Sequence, residues 1–321
     1  MKLSVLTVPL QSVSADEAFN YLSSLGVEAV ELGTGGYTNR NHCNPDVLLN
    51  DPKKIDELKS SLEKNGLEIS ALSCHGNPVH PDKAVAREYH DIYVKTCQLA
   101  KKLDVKTVVT FSGCPGDGKN AVRPNWVVIS WPPEYGEILD YQWEEVLVPY
   151  WKSAVGIAEE NGVEKIAFEM HPGFCVYNPA TMLRLRNDVG NILGANFDPS
   201  HLIWQGMDPV AALKELKGAV YHFHAKDTKV DPYNKAKNGV LDTGKYGDLS
   251  DRSWVFRTVG YGTDMNLWKD IMSTLRLIGY DGAVSIEHED GLMSVKQGLD
   301  KAVSFMKQVM ITEKPAEIWW A

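Results

Sequence analysis

Eight times along its length the chain follows a short β-rich run with a helix-length amphipathic stretch, and this alternation limits what it can fold into. The runs are LSVLT (3–7), VEAVEL (27–32), EISALS (68–73), KTVVTFS (106–112), KIAFEM (165–170), GANFD (194–198), AVYHFHA (219–225) and AVSIEH (283–288). Strands that alternate with helices form βαβ units, in which each helix carries the chain back so that the strands run parallel. In ADEAFNYLSSLG, Ala18, Tyr21, Leu22 and Leu25 recur at helical spacing and Gly26 supplies the stop. DPKKIDELKSSLEKNG has Asp51 as N-cap, Pro52 in the first turn and Gly66 at the end. Eight such units predict an α/β fold, a (β/α)8 TIM barrel, as a single domain over residues 1–312. A doubly wound open sheet is the runner-up, but the first strand-to-helix turn carries neither GxGxxG nor a P-loop.

A formal charge of −9, with lysines scattered along helices, argues against a nucleic-acid partner, whose phosphates require a basic footprint. No run of about 18 apolar residues occurs, so no membrane span is expected. The start, MKLSVLTVPLQ, lacks the apolar core and cleavage site of a signal peptide. Five cysteines without a CxxC pair fit reduced thiols in the cytoplasm.

Two connections, 113–143 and 227–262, are far longer than such units need. Both follow strands, which on a barrel puts them at the C-terminal mouth as lids. Trp126, Trp131, Tyr135, Trp143, Trp204 and Trp254 fall in or near these mouth loops, where aromatic faces can cover a sugar; Trp131 is taken as a substrate contact. The tail at 313–321, EKPAEIWWA, is expected to dock its tryptophans on the barrel or on a neighbouring subunit.

Ionisable residues gather at the strand ends. Glu169 ends the fifth strand, Asp198 the sixth, His224 the seventh and Glu287 the eighth, and a barrel sets consecutive ends side by side on one rim. Three carboxylates and an imidazole there would repel one another without a cation. The set suits one divalent metal ion, Mn²⁺ first, with Mg²⁺, Co²⁺ or Zn²⁺ as alternatives. Of the nine histidines only His90 lies inside a predicted helix. His75, His171 and His201 are within reach of the mouth as substrate contacts, and His201 gains from the tight turn expected at Asp198-Pro199-Ser200-His201. Period-two alternation puts His222, His224 and Lys226 on one face, with His222 one step deeper and Lys226 one step toward substrate.

FEMHPG, NFDPSHLIWQG, VYHFHAKDT with TVGYG, and DGAVSIEHED together resemble the sugar isomerase/epimerase members of the xylose-isomerase-like TIM barrel superfamily, which also holds inosose dehydratases, ketose 3-epimerases and endonuclease IV. The resemblance implies that Glu169, Asp198, His224 and Glu287 bind one divalent metal. It further implies that Glu169 and Glu287 flank the substrate as paired acid/base groups and that His201 contacts a substrate oxygen. Two departures narrow it. The ketose 3-epimerases that share this pattern carry an arginine six residues after the metal histidine, where this chain has Val230, so that contact is either lost or supplied by Lys226 or Lys229. Endonuclease IV needs a histidine where the fourth strand here ends in Ser112.

The expected chemistry is removal of a proton beside a carbonyl of a non-phosphorylated sugar or keto-sugar, through an enediolate, with Glu169, Glu287 and Lys226 as the catalytic groups. Return of the proton gives a sugar isomerase or epimerase. Expulsion of a leaving group from the same enediolate gives a lyase, such as an inosose-type dehydratase or the catalytic subunit of a C-glycoside-cleaving complex. A non-catalytic sugar-binding barrel or a regulatory subunit is the reading from another class, and on any of these readings a homo-oligomer or a partner subunit stays open.

Overall fold

A computed structural model describes residues 1–314 and 317–320. Its strands are β1 (Lys2–Leu6), β2 (Ala29–Gly33), β3 (Glu68–Ser73), β4 (Thr107–Thr110), β5 (Lys165–Glu169), β6 (Leu193–Phe197), β7 (Val220–Ala225), β8 (Asp227–Val230), β9 (Trp254–Arg257) and β10 (Ala283–Ile286). Eight of them close a parallel barrel in the order β1-β2-β3-β4-β5-β6-β7-β10, with β10 pairing back to β1. These are the eight runs expected from the sequence, and the (β/α)8 barrel is a single domain. Helices ring it, among them Ala15–Ser24 with a Ser14 capping box and Pro52–Lys64 capped by Asp51. Among the described residues no helix is long and apolar enough to cross a membrane.

Alternation along the strands sorts side chains into two cores. Leu72, Val108, Ile166, Phe168, Phe197, Phe223 and Val284 pack outward against the helices, each contributing on the order of 1.5–3 kcal/mol relative to exposure. The opposite face of the same strands enters the lumen. Ala71, Val109 and Ala167 fill its floor with Tyr221 against them, and a Cβ on Gly194 would stand 2.4 Å from the Tyr221 ring. Two residues further along each strand, the same face presents Ser73, Phe111 and Glu169. The lumen is therefore apolar at its base and polar at its mouth.

The long connections begin at strand C-termini as expected, but they are not irregular lids. The first contains the helix Pro133–Asp140, which runs on into a wide turn at Tyr141–Leu147. The second is a two-stranded antiparallel unit, β8 with β9, enclosing the helix Pro232–Asn238. No short turn joins β8 to β9, so the hairpin signal that flags such pairs in a sequence is missing. Asp227 seats this unit. Its Oδ2 accepts from the amides of Gly260 (2.9 Å), Gly262 (3.1 Å) and Thr263 (3.0 Å) and from the Trp268 indole (3.3 Å). Its Oδ1 accepts from the Thr228 amide at 2.8 Å and the Thr263 hydroxyl at 3.0 Å. The approach is close enough that a Cβ on Gly262 would meet Thr228 backbone at 2.5 Å.

Part of the tail expected to dock, Pro315, Ala316 and Ala321, lies outside the described residues. Ile318, Trp319 and Trp320 are 62%, 85% and 70% exposed, and the two indoles meet each other, centroids 5.6 Å apart, instead of the barrel.

Asp227→Ala leaves these donors buried and unpaired, so it should cost on the order of 3 kcal/mol in urea unfolding. A loss below about 1 kcal/mol would show that other contacts hold the hairpin.

Candidate metal centre

Glu169 closes β5, two positions beyond inward-facing Ala167, so its carboxylate enters the mouth of the lumen. Asp198 follows β6 and starts the helix Pro199–Gln205, where Pro199 needs no amide partner in the first turn. Capping divides that carboxylate: Oδ1 accepts the Ser200 amide at 2.8 Å, which leaves Oδ2 to the lumen. His224 lies on β7 opposite Ser285 of β10, and Glu287 is the first residue past β10.

One ligand atom from each of these four residues lies within 4.8 Å of the others. His224 Nδ1 is 3.1 Å from Glu287 Oε2 and 3.3 Å from Glu169 Oε2. Asp198 Oδ2, His224 Nδ1 and Glu287 Oε2 are buried and make no hydrogen bond. Hard oxygen donors and one imidazole that converge with unused lone pairs fit a divalent cation. The cation that faces them from the protein is Lys226, 2% exposed. Its Nζ stands 2.9 Å from Glu287 Oε2, 3.2 Å from Asp198 Oδ2 and 3.2 Å from Glu289 Oε2, and 4.6 Å from the centre of the Phe256 ring.

Histidines hold Glu169 from both sides. His201 Nε2 is 3.0 Å from Oε1 and His75 Nε2 is 2.9 Å from Oε2. His201 reaches in from the first turn of the helix Pro199–Gln205, a correction to the isolated tight turn and to the count of histidines in helices. His171 donates Nδ1–H to the Pro172 carbonyl at 2.6 Å, and its ring centre is 4.1 Å from that of His201. The structure thus brings His75, His171, His201 and Lys226 to the cluster. It does not bring Trp131 there. That side chain is 72% exposed, after a segment, Trp126 to Ser130, that lines a separate cavity with Trp143 and Arg184. Trp204 and Trp254 stack on each other at 4.4 Å and pack the loops. The aromatic rings at the mouth are instead Phe111, 4.5 Å from His75, and Phe256, 5.3 Å from His201. Beside them opens a cavity of about 500 Å³ lined by His171, Tyr246, Arg252, Phe256 and Glu289. Lys229, offered as a stand-in for the arginine that Val230 replaces, is exposed on β8.

Sequence reasoning missed Glu31, Glu289 and Phe256. Glu31 carried a signal, an acid within a strand whose every residue is buried. It lies opposite His222 and His224, at 2.9 and 3.0 Å from their Nε2 atoms.

Burial and charge set the titration of the site. Burial pushes Asp198 up to about 6, against the pull of Lys226. For Glu287 burial is again the largest influence, but Lys226 and His224 together outweigh it and bring the carboxyl down to about 2. Burial is also the largest influence on Glu169, but the imidazoles of His201, His224 and His75 beside it outweigh burial and hold the carboxyl well below the usual range. For His224, burial is overcome by Glu31 and Glu287, which raise the imidazole well above its ordinary value. Burial lowers His171 to about 3, so it is neutral in working conditions.

The family described as xylose isomerase-like TIM barrel matches residues 19–309. The uncharacterized protein YfiH of Bacillus subtilis (strain 168) is 42% identical over 312 residues, covering 97% of this chain and 99% of that one. Among solved structures, a D-tagatose 3-epimerase-like protein superposes with a TM-score of 0.64 at 21% identity, over 96% of this chain and 98% of its own. The IOLI protein with a zinc atom does so with a TM-score of 0.64 at 20% identity, over 96% and 98%.

A divalent ion held by these four residues would have to displace the proton on His224 Nδ1 and, below pH about 6, a second one from Asp198. Affinity should therefore fall about tenfold per pH unit from neutral to 6 and more steeply below it. Titration against a competing chelator at several pH values checks this, and a flat profile would remove both residues from the ligand set.

Proposed function

Since the chain belongs to the xylose isomerase-like TIM barrel family, we propose that it is a divalent-metal-dependent sugar isomerase or epimerase acting on a non-phosphorylated sugar or keto-sugar. The observation that carries this reading is the convergence of Glu169, Asp198, His224 and Glu287 within 4.8 Å of one another, with Asp198 Oδ2, His224 Nδ1 and Glu287 Oε2 making no hydrogen bond, beside an open cavity. These four would hold the ion, with Mn²⁺ first among candidates; the zinc of the IOLI structure supports a divalent ion in general. Such an ion supplies a Lewis acid that polarises a carbonyl flanked by a hydroxyl.

The residues of the chain then divide the proton transfers. Glu287 is the most open of the ligand carboxylates, 14% exposed against 3% for Glu169, which suits it to take the proton from the carbon beside the carbonyl. Both oxygens of Glu169 are engaged by imidazoles, so Glu169 depends on His201 and His75 to pass protons on the opposite face. Lys226 keeps a positive charge against Glu287 and Glu289 and faces the oxygen on which negative charge grows. Protonation of the starting carbon from the other face gives epimerisation, and protonation of its neighbour gives isomerisation.

The mouth favours a neutral polyol. Arg252 donates to the Gly244 and Trp254 carbonyls, and Arg257 Nε is paired with Asp290 at 3.1 Å, so both guanidiniums are partly engaged by protein acceptors. Phe256, partly exposed in the cavity wall, offers an apolar ring to the C–H side of a sugar. The five cysteines are unpaired and buried, in keeping with a cytoplasmic setting.

Solvent deuterium incorporation into ketoses, 3-keto-glucosides and inososes tests the reading on protein loaded with Mn²⁺. Exchange at one carbon is expected, and Glu287→Gln should reduce it by about 10²–10⁴-fold. Exchange followed by loss of a group from the sugar would make the enzyme a lyase. A metal-loaded protein that exchanges nothing in any of the three classes would leave a binding module.

A further inference from the structure

We infer that Glu31 is a positioning residue: it fixes the ring of His224 in the tautomer that carries its proton on Nε2 and leaves Nδ1 free for the metal. This rests on the metal-dependent reading above. Glu31 is fully buried on β2, across the lumen from β7. His224 Nε2 stands 3.0 Å from each of its oxygens. The other ring nitrogen, Nδ1, faces Glu169 and Glu287 and makes no hydrogen bond.

A neutral imidazole has one N–H, so whichever nitrogen holds the proton decides which can ligate. With the proton on Nδ1, the Nε2 lone pair would face two carboxylate oxygens and an N–H would face the cation. With the proton on Nε2, both contacts turn favourable. The carboxylate is itself anchored. His222 Nε2 is 2.9 Å from Oε2, and the Ser73 hydroxyl donates to Oε1. Three donors therefore hold one carboxylate, and it can neither swing away nor accept from another group without losing a buried hydrogen bond.

Glu31, His222 and His224 also lie close enough to hold an ion of their own. The geometry favours the relay instead. A second ion there would require His224 to give both nitrogens to metals, which leaves it no N–H for either carboxylate.

Zn²⁺, being diamagnetic, serves as the probe in two measurements on the full chain. Long-range ¹H–¹⁵N correlation spectra of the Zn²⁺-loaded protein should show His224 protonated at Nε2 only. Chelator competition should show one Zn²⁺ per chain, with affinity lowered about 10–100-fold in Glu31→Gln and partly restored in Glu31→Asp. Thermal unfolding of the metal-free variants controls for folding, and if Glu31→Gln does not fold, the wild-type tautomer and Glu31→Asp decide. A proton on Nδ1, or unchanged affinity in Glu31→Gln, overturns the assignment and leaves the metal reading intact. Two Zn²⁺ per chain with one lost in Glu31→Gln overturns it by making Glu31 a ligand. A wild-type chain that binds no Zn²⁺, Mn²⁺ or Co²⁺ overturns both.

Discussion

Four carboxylates stand inside one barrel, nearly sealed from water, and the arrangement around them answers to their charge. Burying an uncompensated carboxylate costs several kcal/mol. Glu31, Glu169, Asp198 and Glu287 are therefore met at hydrogen-bond or ion-pair distance by His75, His201, His222, His224 and Lys226. The histidines form two tiers. His222 and His224 answer Glu31 in the deeper one, while His75 and His201 brace Glu169 above. His224 joins the tiers because its two nitrogens point into both. This explains why a strand that buries valine and phenylalanine on one face carries histidines on the other.

The parallel barrel makes the arrangement attainable. Neighbouring strands set Glu169 beside Asn196 and Ser285 beside His224 in register, so residues far apart in sequence arrive at one height. The apolar floor of Ala71, Val109 and Ala167, with Tyr221 packed against it, forms the base of the lumen, and Glu31 is fully buried. Charge compensation, not packing alone, then determines which side chains fill the upper lumen.

Much of this was legible in the sequence because it rests on local patterns. Strand-length apolar runs gave the eight barrel strands, and acids at their ends gave Glu169, Asp198 and Glu287. What stayed hidden depends on closure. Glu31 meets His222 across 191 residues, and no local period signals such a contact. The β8–β9 pair was hidden for a related reason: its strands are four residues each and lack a tight turn between them. Trp131 misled because its chemistry suits a sugar, whereas the ring that reaches the mouth, Phe256, sits on a strand that was not expected. His201 was expected near Asp198 and arrives there through a helical turn, which sets residues three apart on one face.

One residue, Lys226, separates the last barrel pairing of β7 from the first pairing of β8. At 3.8 Å per step there is no slack in that joint, so the hairpin is a rigid extension of the barrel wall with an ammonium at its root. Descent with change is thereby channelled. The pairing of Val230 with Trp254 clamps both ends of the stretch from 231 to 253, so a change of length or composition there need not move the charges at the root of the joint.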